Sequence, residues 1–170
     1  MTIKRILVPV DFSPNSLHAL DYAVDFAKAF KATVAVLFVV EPIAYAIPDF
    51  AGGAAMIGGL LEQQQRSGRM QLRRLEERYA KRRVRLRALL QTGSAYQAIA
   101  DTARQTKADL IVMATHGRTG LSHLLLGSVA ERVVRAATCP VLTLHPGKVR
   151  PCVAMTIRSA FVWRAVSAIA

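Results

Sequence analysis

Ala114 to Ser128 reads ATHGRTGLSHLLLGS and follows directly on the apolar run Leu110-Ile-Val-Met113. Glycines stand at Gly117, Gly120 and Gly127, a serine closes the stretch, and Arg118 lies inside it. Glycine lets backbone N–H groups approach phosphate oxygens with no Cβ in the way. Gly127-Ser128 come just before a helical pattern. A helix N-terminus offers unpaired N–H donors and a partial positive charge, which suit an anion. Ser128 would add a hydroxyl and Arg118 a charge. Two other strand-like runs end on suggestive residues. Pro9-Val10-Asp11 closes the first with a carboxylate that can accept from a sugar hydroxyl or a base amine. Val39-Val40-Glu41 closes another with an apolar surface suited to a flat ring. A plain connecting turn is the competing reading of the glycine loop. Gly-Lys-Ser/Thr and Gly-x-Gly-x-x-Gly are both absent from it.

These residues need a scaffold, and the hydrophobic pattern supplies one. Lys4–Val10 reads as a short strand with continuous apolar residues, as in a parallel sheet covered on both faces. Ser13 before Pro14 is a helix N-cap with proline at the first helical position. Leu17, Leu20, Ala23, Val24 and Ala27 then recur at helical spacing to Phe30. Thr33–Val40 is a second strand. Residues 41–59 carry Pro42, Pro48 and paired glycines and read as a loop. Leu60–Ala80 is a polar helix with a thin stripe of Leu61, Leu72, Leu75 and Tyr79. Val84–Leu90 reads as an edge strand. Gly93-Ser94 cap a helix from Ala95 to about Thr106, with Ile99 and Ala103 inward. Leu110–Ala114 is a strand, Val129–Ala136 a helix stopped by Cys139-Pro140, and Val141–Leu144 the last strand. Strands alternating with helices predict one α/β domain with a single open five-stranded parallel sheet sandwiched by helices. In such sheets ligands settle outside the carboxyl ends of strands, where strand order reverses.

Of 170 residues, 52% are hydrophobic, enough for one domain with a sizeable core. The sequence shows no signal-peptide pattern and no charge-free apolar run long enough for a bilayer. Cys139 and Cys152 read as two reduced thiols, and His18, His123 and His145 are too scattered for a metal site. The net charge is +12, concentrated between Arg66 and Arg87, where only Glu76 and Glu77 oppose the basic residues. A solvated helix face explains such a run, and so does an anionic partner. Beyond His145-Pro146, apolar residues Val153, Ile157, Phe161, Ala165 and Ile169 recur every four positions. Residues 147–170 therefore read as an extension to a domain of residues 1–146. The extension is an amphipathic helix docked on the domain or a partner, a frayed terminus, or a helix at a membrane surface.

Ile6-Leu-Val-Pro-Val-Asp-Phe-Ser13, Thr115-His-Gly-Arg-Thr-Gly-Leu121, and Leu124-Leu-Leu-Gly-Ser-Val-Ala-Glu131 through Cys139-Pro-Val-Leu142 resemble the universal stress protein family. The resemblance runs from Met1 to about Leu144. It implies the adenine nucleotide alpha hydrolase-like, Rossmann-like fold, a cytoplasmic location, a homodimer through the last strand Val141–Leu144, and, in many members, ATP. The ATP pattern Gly-x-x-Gly-x9-Gly-Ser/Thr falls on Ala114, Gly117, Gly127 and Ser128, so the first glycine is an alanine here. By the same resemblance Asp11 lies near the base and ribose, Val10, Val39 and Met113 line the adenine, and Pro9 counts among the cofactor-binding residues. His116 and Arg118 belong to the loop, and Val129 is a helix N-terminal donor.

Two functional readings follow. The first is a stress-response protein that binds ATP, with or without magnesium, and hydrolyses it slowly or not at all. Fast phosphoryl transfer needs a positioned base or an arginine clamp. Here Arg118 is the only cation in the loop and Asp11 is assigned to the base and ribose. The second is a nucleotide-free dimeric interaction protein that uses the basic helix. Nucleic acid is disfavoured because Tyr79 is the only aromatic in the basic segment.

Overall fold

Residues 2–42, 53–115, 127–145 and 154–156 are described by the computed structural model. The elements in order are β1 (Arg5–Pro9), α1 (Pro14–Phe30), β2 (Thr33–Val40), α2 (Gly53–Ala80), β3 (Leu86–Thr92), α3 (Ala95–Gln105), β4 (Leu110–Ala114), α4 (Ser128–Ala136), β5 (Val141–Leu144) and β6 (Ala154–Thr156). The sheet order is β3-β2-β1-β4-β5-β6. The first five strands pair in parallel, and β6 joins β5 antiparallel.

The apolar runs are continuous because both faces of the central strands are covered. Leu7, Leu37 and Ile111 face the layer of α3 and α4, with Ile99, Ala103 and Val133. Ile6, Val8, Val34, Val36 and Val112 face the layer of α1 and α2, with Leu20, Val24, Leu72 and Leu75. Each fully buried aliphatic side chain of this kind contributes about 2 kcal/mol. Opposite the site, Asp109 pins the amino ends of β1 and β4 together. Its Oδ2 accepts from the Lys4 and Arg5 N–H groups at 3.0 and 2.9 Å, and its Oδ1 from the Arg5 guanidinium at 3.2 Å. Burial raises the Asp109 pKa, but these bonds and the Arg5 charge outweigh it and hold the carboxyl below its usual range.

Three expectations need correction. Gly53–Gly59 is helix, not loop: α2 starts at Gly53. Glycines at 58 and 59 cost about 1 kcal/mol each relative to alanine, a penalty that a helix of 28 residues absorbs. Strand β3 runs over Leu86–Thr92, two residues later than the alternation at Val84 suggests, because its register is set by pairing Val34–Val40 with Leu86–Thr92. Residues 154–156 are strand, not helix. The outer edge of β5 presents unpaired backbone groups, and the tail satisfies them with Val141 opposite Thr156 and Thr143 opposite Ala154. The rest of the extension lies outside the described residues.

Helix α2 is held close to the sheet. At Gly68 an added Cβ would sit 2.5 Å from a Phe38 ring carbon, so only glycine permits this approach. At its carboxyl end the buried Tyr79 hydroxyl donates to Asp21 Oδ1 at 2.9 Å, and Arg82 bridges Asp21 and Asp25 at 2.7 and 3.0 Å. Burial, then the hydrogen bond to Asp21 and its charge, push the Tyr79 pKa up to about 12, from 10.0. A pKa raised in the folded state means that the stability from this contact is complete below the unfolded value and is lost as pH rises toward the folded one. Between about pH 9 and pH 11 the protein should therefore lose about 1 kcal/mol more stability than Tyr79→Phe, measured by urea unfolding. Equal slopes for the two would mean that the Tyr79–Asp21 bond does not form in solution.

Candidate functional site

From β1 the chain crosses to β2 on one side, and from β4 it crosses to β5 on the other. Strands β1 and β4 are neighbours, so strand order reverses between them. The loops leaving their carboxyl ends diverge and open a crevice, the usual ligand position in such sheets. Registers align the candidates there. Pro9 pairs with Leu37, so Asp11 and Val39 leave the sheet together. Leu7 pairs with Ile111, which brings Pro9 level with Met113.

On the β1 side, Asp11 Oδ1 accepts from the Ser13 N–H at 3.0 Å and the Ser13 hydroxyl at 2.6 Å. The Ser13 hydroxyl in turn accepts from Ser16 N–H at 3.3 Å and so caps α1, as the Ser-Pro pair indicated. The Asp11 N–H donates to Ser16 Oγ at 3.3 Å. Between Asp11 and Ser13, Phe12 adopts the left-handed region with φ 64. That conformation costs a bulky residue about 1–2 kcal/mol. The serine bonds and the Phe12–Phe38 ring contact, at 4.7 Å between centroids, hold it there. One carboxylate oxygen of Asp11 is thus committed to shaping its own loop.

On the β4 side, Thr115 closes the glycine loop. Its carbonyl accepts from Gly127 N–H at 2.9 Å, and its N–H donates to the Leu144 carbonyl at 2.9 Å. The Thr115 hydroxyl reaches the Leu144 carbonyl at 3.3 Å and His145 Nδ1 at 3.2 Å. Gly127 is the N-cap of α4 and has no side chain to occupy the N–H groups of the first turn. Ser128 and Val129 are exposed in that turn, and the Ser128 hydroxyl has no partner among the described residues. The α3 terminus differs. Ser94 makes no side-chain cap, and Glu41 Oε1 accepts the Ala95 N–H at 2.8 Å instead. Glu41 therefore serves a helix end and not a ring.

Pro9, Asp11, Val39, Met113 and the Gly127–Val129 turn are all brought to the crevice side of the sheet. Val39 and Met113 share the α3/α4 layer. Val10 does not join them, since its side chain is buried in the α1/α2 layer. Its backbone N–H instead extends the ladder to Leu37 at 2.8 Å. Ala114 also packs on the α1/α2 layer. Its methyl group points away from the wall of Val39 and Met113, so an alanine in place of the pattern's first glycine does not crowd that wall. His116, Gly117 and Arg118 lie outside the described residues. No cluster of three metal-ligating side chains occurs among the described residues. Ser13 and Thr115 are not among the candidate residues that the sequence offers. Ser13 carries a signal, an Asp-x-Ser turn. Thr115 carries none, because its partners Leu144 and His145 are remote in sequence.

A doubly wound α/β sheet with a crevice at its switch point, flanked by a carboxylate and by a helix N-terminus with no side-chain cap among the described residues, defines the class. The model of the universal stress protein family matches residues 2–145, and the chain belongs to that family. It is 36% identical over 145 residues to universal stress protein MJ0531 of Methanocaldococcus jannaschii, covering 85% of this chain and 84% of that protein. The solved universal stress protein UspA from Lactobacillus plantarum superposes with a TM-score of 0.75 at 26% identity, covering 84% and 98% of the two chains. A universal stress protein solved in complex with cAMP superposes with a TM-score of 0.60 at 25% identity, covering 86% and 100%.

Ser13→Ala removes the α1 cap and the hydroxyl bond to Asp11, and leaves the backbone N–H bond to Asp11 in place. It should cost about 1–2 kcal/mol, read as a lower urea midpoint at unchanged m-value. An unshifted midpoint would show that the Asp11 loop is held by other contacts.

Proposed function

We infer that the crevice between β1 and β4 binds an adenine nucleotide, with ATP as the ligand, and that the protein works as a nucleotide-dependent stress-response module. The observation that carries this reading is the Thr115–Gly127 hydrogen bond, which sets the uncapped first turn of α4 beside the end of β4, across from Asp11. The donor set fits the ligand. The Gly127 N–H is held by the Thr115 carbonyl, so the N–H groups at Ser128 and Val129 are the ones that suit phosphate oxygens, with Gly127 letting the ligand approach the turn, while Asp11 suits the ribose and base, and Val39 and Met113 suit the adenine face. The cAMP complex of a relative agrees with an adenine-containing ligand. In this reading Gly117, Arg118 and His116 complete the phosphate loop, and the triphosphate binds with or without magnesium.

Hydrolysis is slow or absent. Asp11 is already bonded by Ser13, which suits positioning better than proton abstraction. A turnover of about 1–100 per second, the range of kinases, would overturn this part. The reading also places the protein in the cytoplasm, with which the free Cys139 thiol, pushed up in pKa by burial and then by the Asp109 charge, agrees. No helix among the described residues is long and apolar enough to cross a membrane.

Two measurements test the reading. Denaturing the purified protein should release a stoichiometric adenine nucleotide. Calorimetric titration with ATP, with and without magnesium, should give binding that Gly127→Leu abolishes. No released nucleotide and no heat at millimolar ATP would favour the nucleotide-free interaction protein instead. A homodimer through Val141–Leu144 belongs to the same proposal, but β6 already covers that edge. A second copy reaches β5 only when β6 leaves, so a chain ending at His145 should dimerise more tightly in sedimentation equilibrium. Monomers in both forms would remove the dimer.

A further inference from the structure

Strand β3 ends the sheet, and among the described residues it pairs only with β2. The ladder direction shows what its outer edge offers. Val34 N–H donates to the Arg85 carbonyl at 2.9 Å, and Gly93 N–H to the Val40 carbonyl at 3.0 Å. Backbone groups of successive strand residues point to opposite sides. Odd-numbered residues therefore face β2, and Leu86, Ala88 and Leu90 direct their N–H and C=O groups outward. Of these, only Ala88 has a partner for its N–H among the described residues: Glu76 Oε1 at 2.9 Å. An edge left in this state is a template for pairing with another extended chain.

Beside this edge, between α2 and β3, lies a groove of about 500 Å³. Arg66, Arg69 and Arg73 form one wall, Ala88 and Leu90 the floor, and Met70, 53% exposed, the rim. Arg66 has a loose contact with Glu62 at 3.6 Å, both side chains being well exposed. Arg69 and Arg73 have no partner among the described residues. They stand four apart on one helix face, where like charges destabilise the helix, so folding alone gives no reason for them. Glu76, the one acid in the groove, is engaged with the Ala88 N–H. Tyr79, the only aromatic between Arg66 and Arg87, is 1% exposed and offers no face to a base, which argues against nucleic acid.

We propose that the β3 edge and the α2 groove together dock an extended acidic segment of a partner protein, which adds to the sheet as a further strand. Its backbone carbonyls take the outward N–H groups of Leu86 and Leu90 and displace Glu76 from Ala88. Its alternate side chains, spaced on one face by the strand period, place carboxylates against Arg69 and Arg73 and an apolar group on Leu90 and Met70. The switch-point crevice lies on the far side of β2 and takes no part, so this site is independent of nucleotide binding.

The test uses the full chain and a fluorescent peptide of about eight residues alternating Val and Glu. Anisotropy at low salt should show saturable binding, weakened at least tenfold by Arg69→Glu with Arg73→Glu. A peptide of the same sequence and charge, N-methylated at alternate amides so that it cannot pair with β3, should fail to bind wild-type protein. Hydrogen exchange at the Leu86, Ala88 and Leu90 amides should slow on saturation, with Arg87 and Leu89 unchanged. Equal binding of the methylated peptide, or binding without amide protection, would reduce the site to general attraction and overturn the proposal. So would the absence of binding, or displacement of the peptide by a single-stranded oligonucleotide that binds more tightly through the same arginines.

Discussion

Strand β1 is the constraint on which the rest of the molecule depends. It is hydrogen-bonded on both sides, to β2 over its whole length and to β4 through Ile6 and Leu7, and Leu7 and Val8 are completely buried. A strand in that position cannot shift register by one residue without exchanging the two apolar faces. With β1 fixed, and with Asp109 holding its amino end to β4, the carboxyl ends of β1 and β4 must diverge into separate loops. The crevice is the geometric result of that divergence.

The three helix N-termini that follow β1, β3 and β4 are treated differently, and the difference falls at the candidate site. Helix α1 is capped by its own Ser13, and α3 by Glu41 from the end of β2. Helix α4 begins at a glycine with nothing to offer its first turn. Orphan donors at a helix end normally find a side chain, water or a ligand. The same fold thus uses a carboxylate and a hydroxyl at two termini, and among the described residues no side chain caps the third, beside the crevice. The strained Phe12 backbone, held by paired serine bonds next to Asp11, is a further instance of local cost accepted where loop shape matters.

At the far end of the sheet the problem is the opposite one, an exposed edge. The β5 edge is closed by the chain's own tail, whereas among the described residues the β3 edge is closed only at Ala88, by Glu76. Helix α2 is held down over β2 and β3 by the Gly68–Phe38 approach and by the Tyr79–Asp21–Arg82 network. Its arginines therefore stay where they are, although much of the chain's net charge of +12 gathers on this helix and strand.

The sequence by itself determined the elements and much of the candidate site. Apolar runs such as Leu110–Met113 and Thr33–Val40 read as strands of a covered parallel sheet, because coverage on both faces tolerates continuous hydrophobicity. Ser13-Pro14 announced the start of α1, and Gly127-Ser128 that of α4, because capping chemistry is local. Strand order was not legible. It depends on which strands pair across long separations, and only that pairing placed β1 beside β4 and so located the crevice. Layer assignment was also tertiary: it sent Val10 and the Ala114 methyl to the face opposite Met113. The tail at 154–156 had helical spacing and became a strand, because an unpaired β5 edge rewards backbone pairing more than a weak periodic pattern rewards a helix. Glu41 and Thr115 found their roles through partners 54 and 29 residues away, distances over which no local pattern carries information.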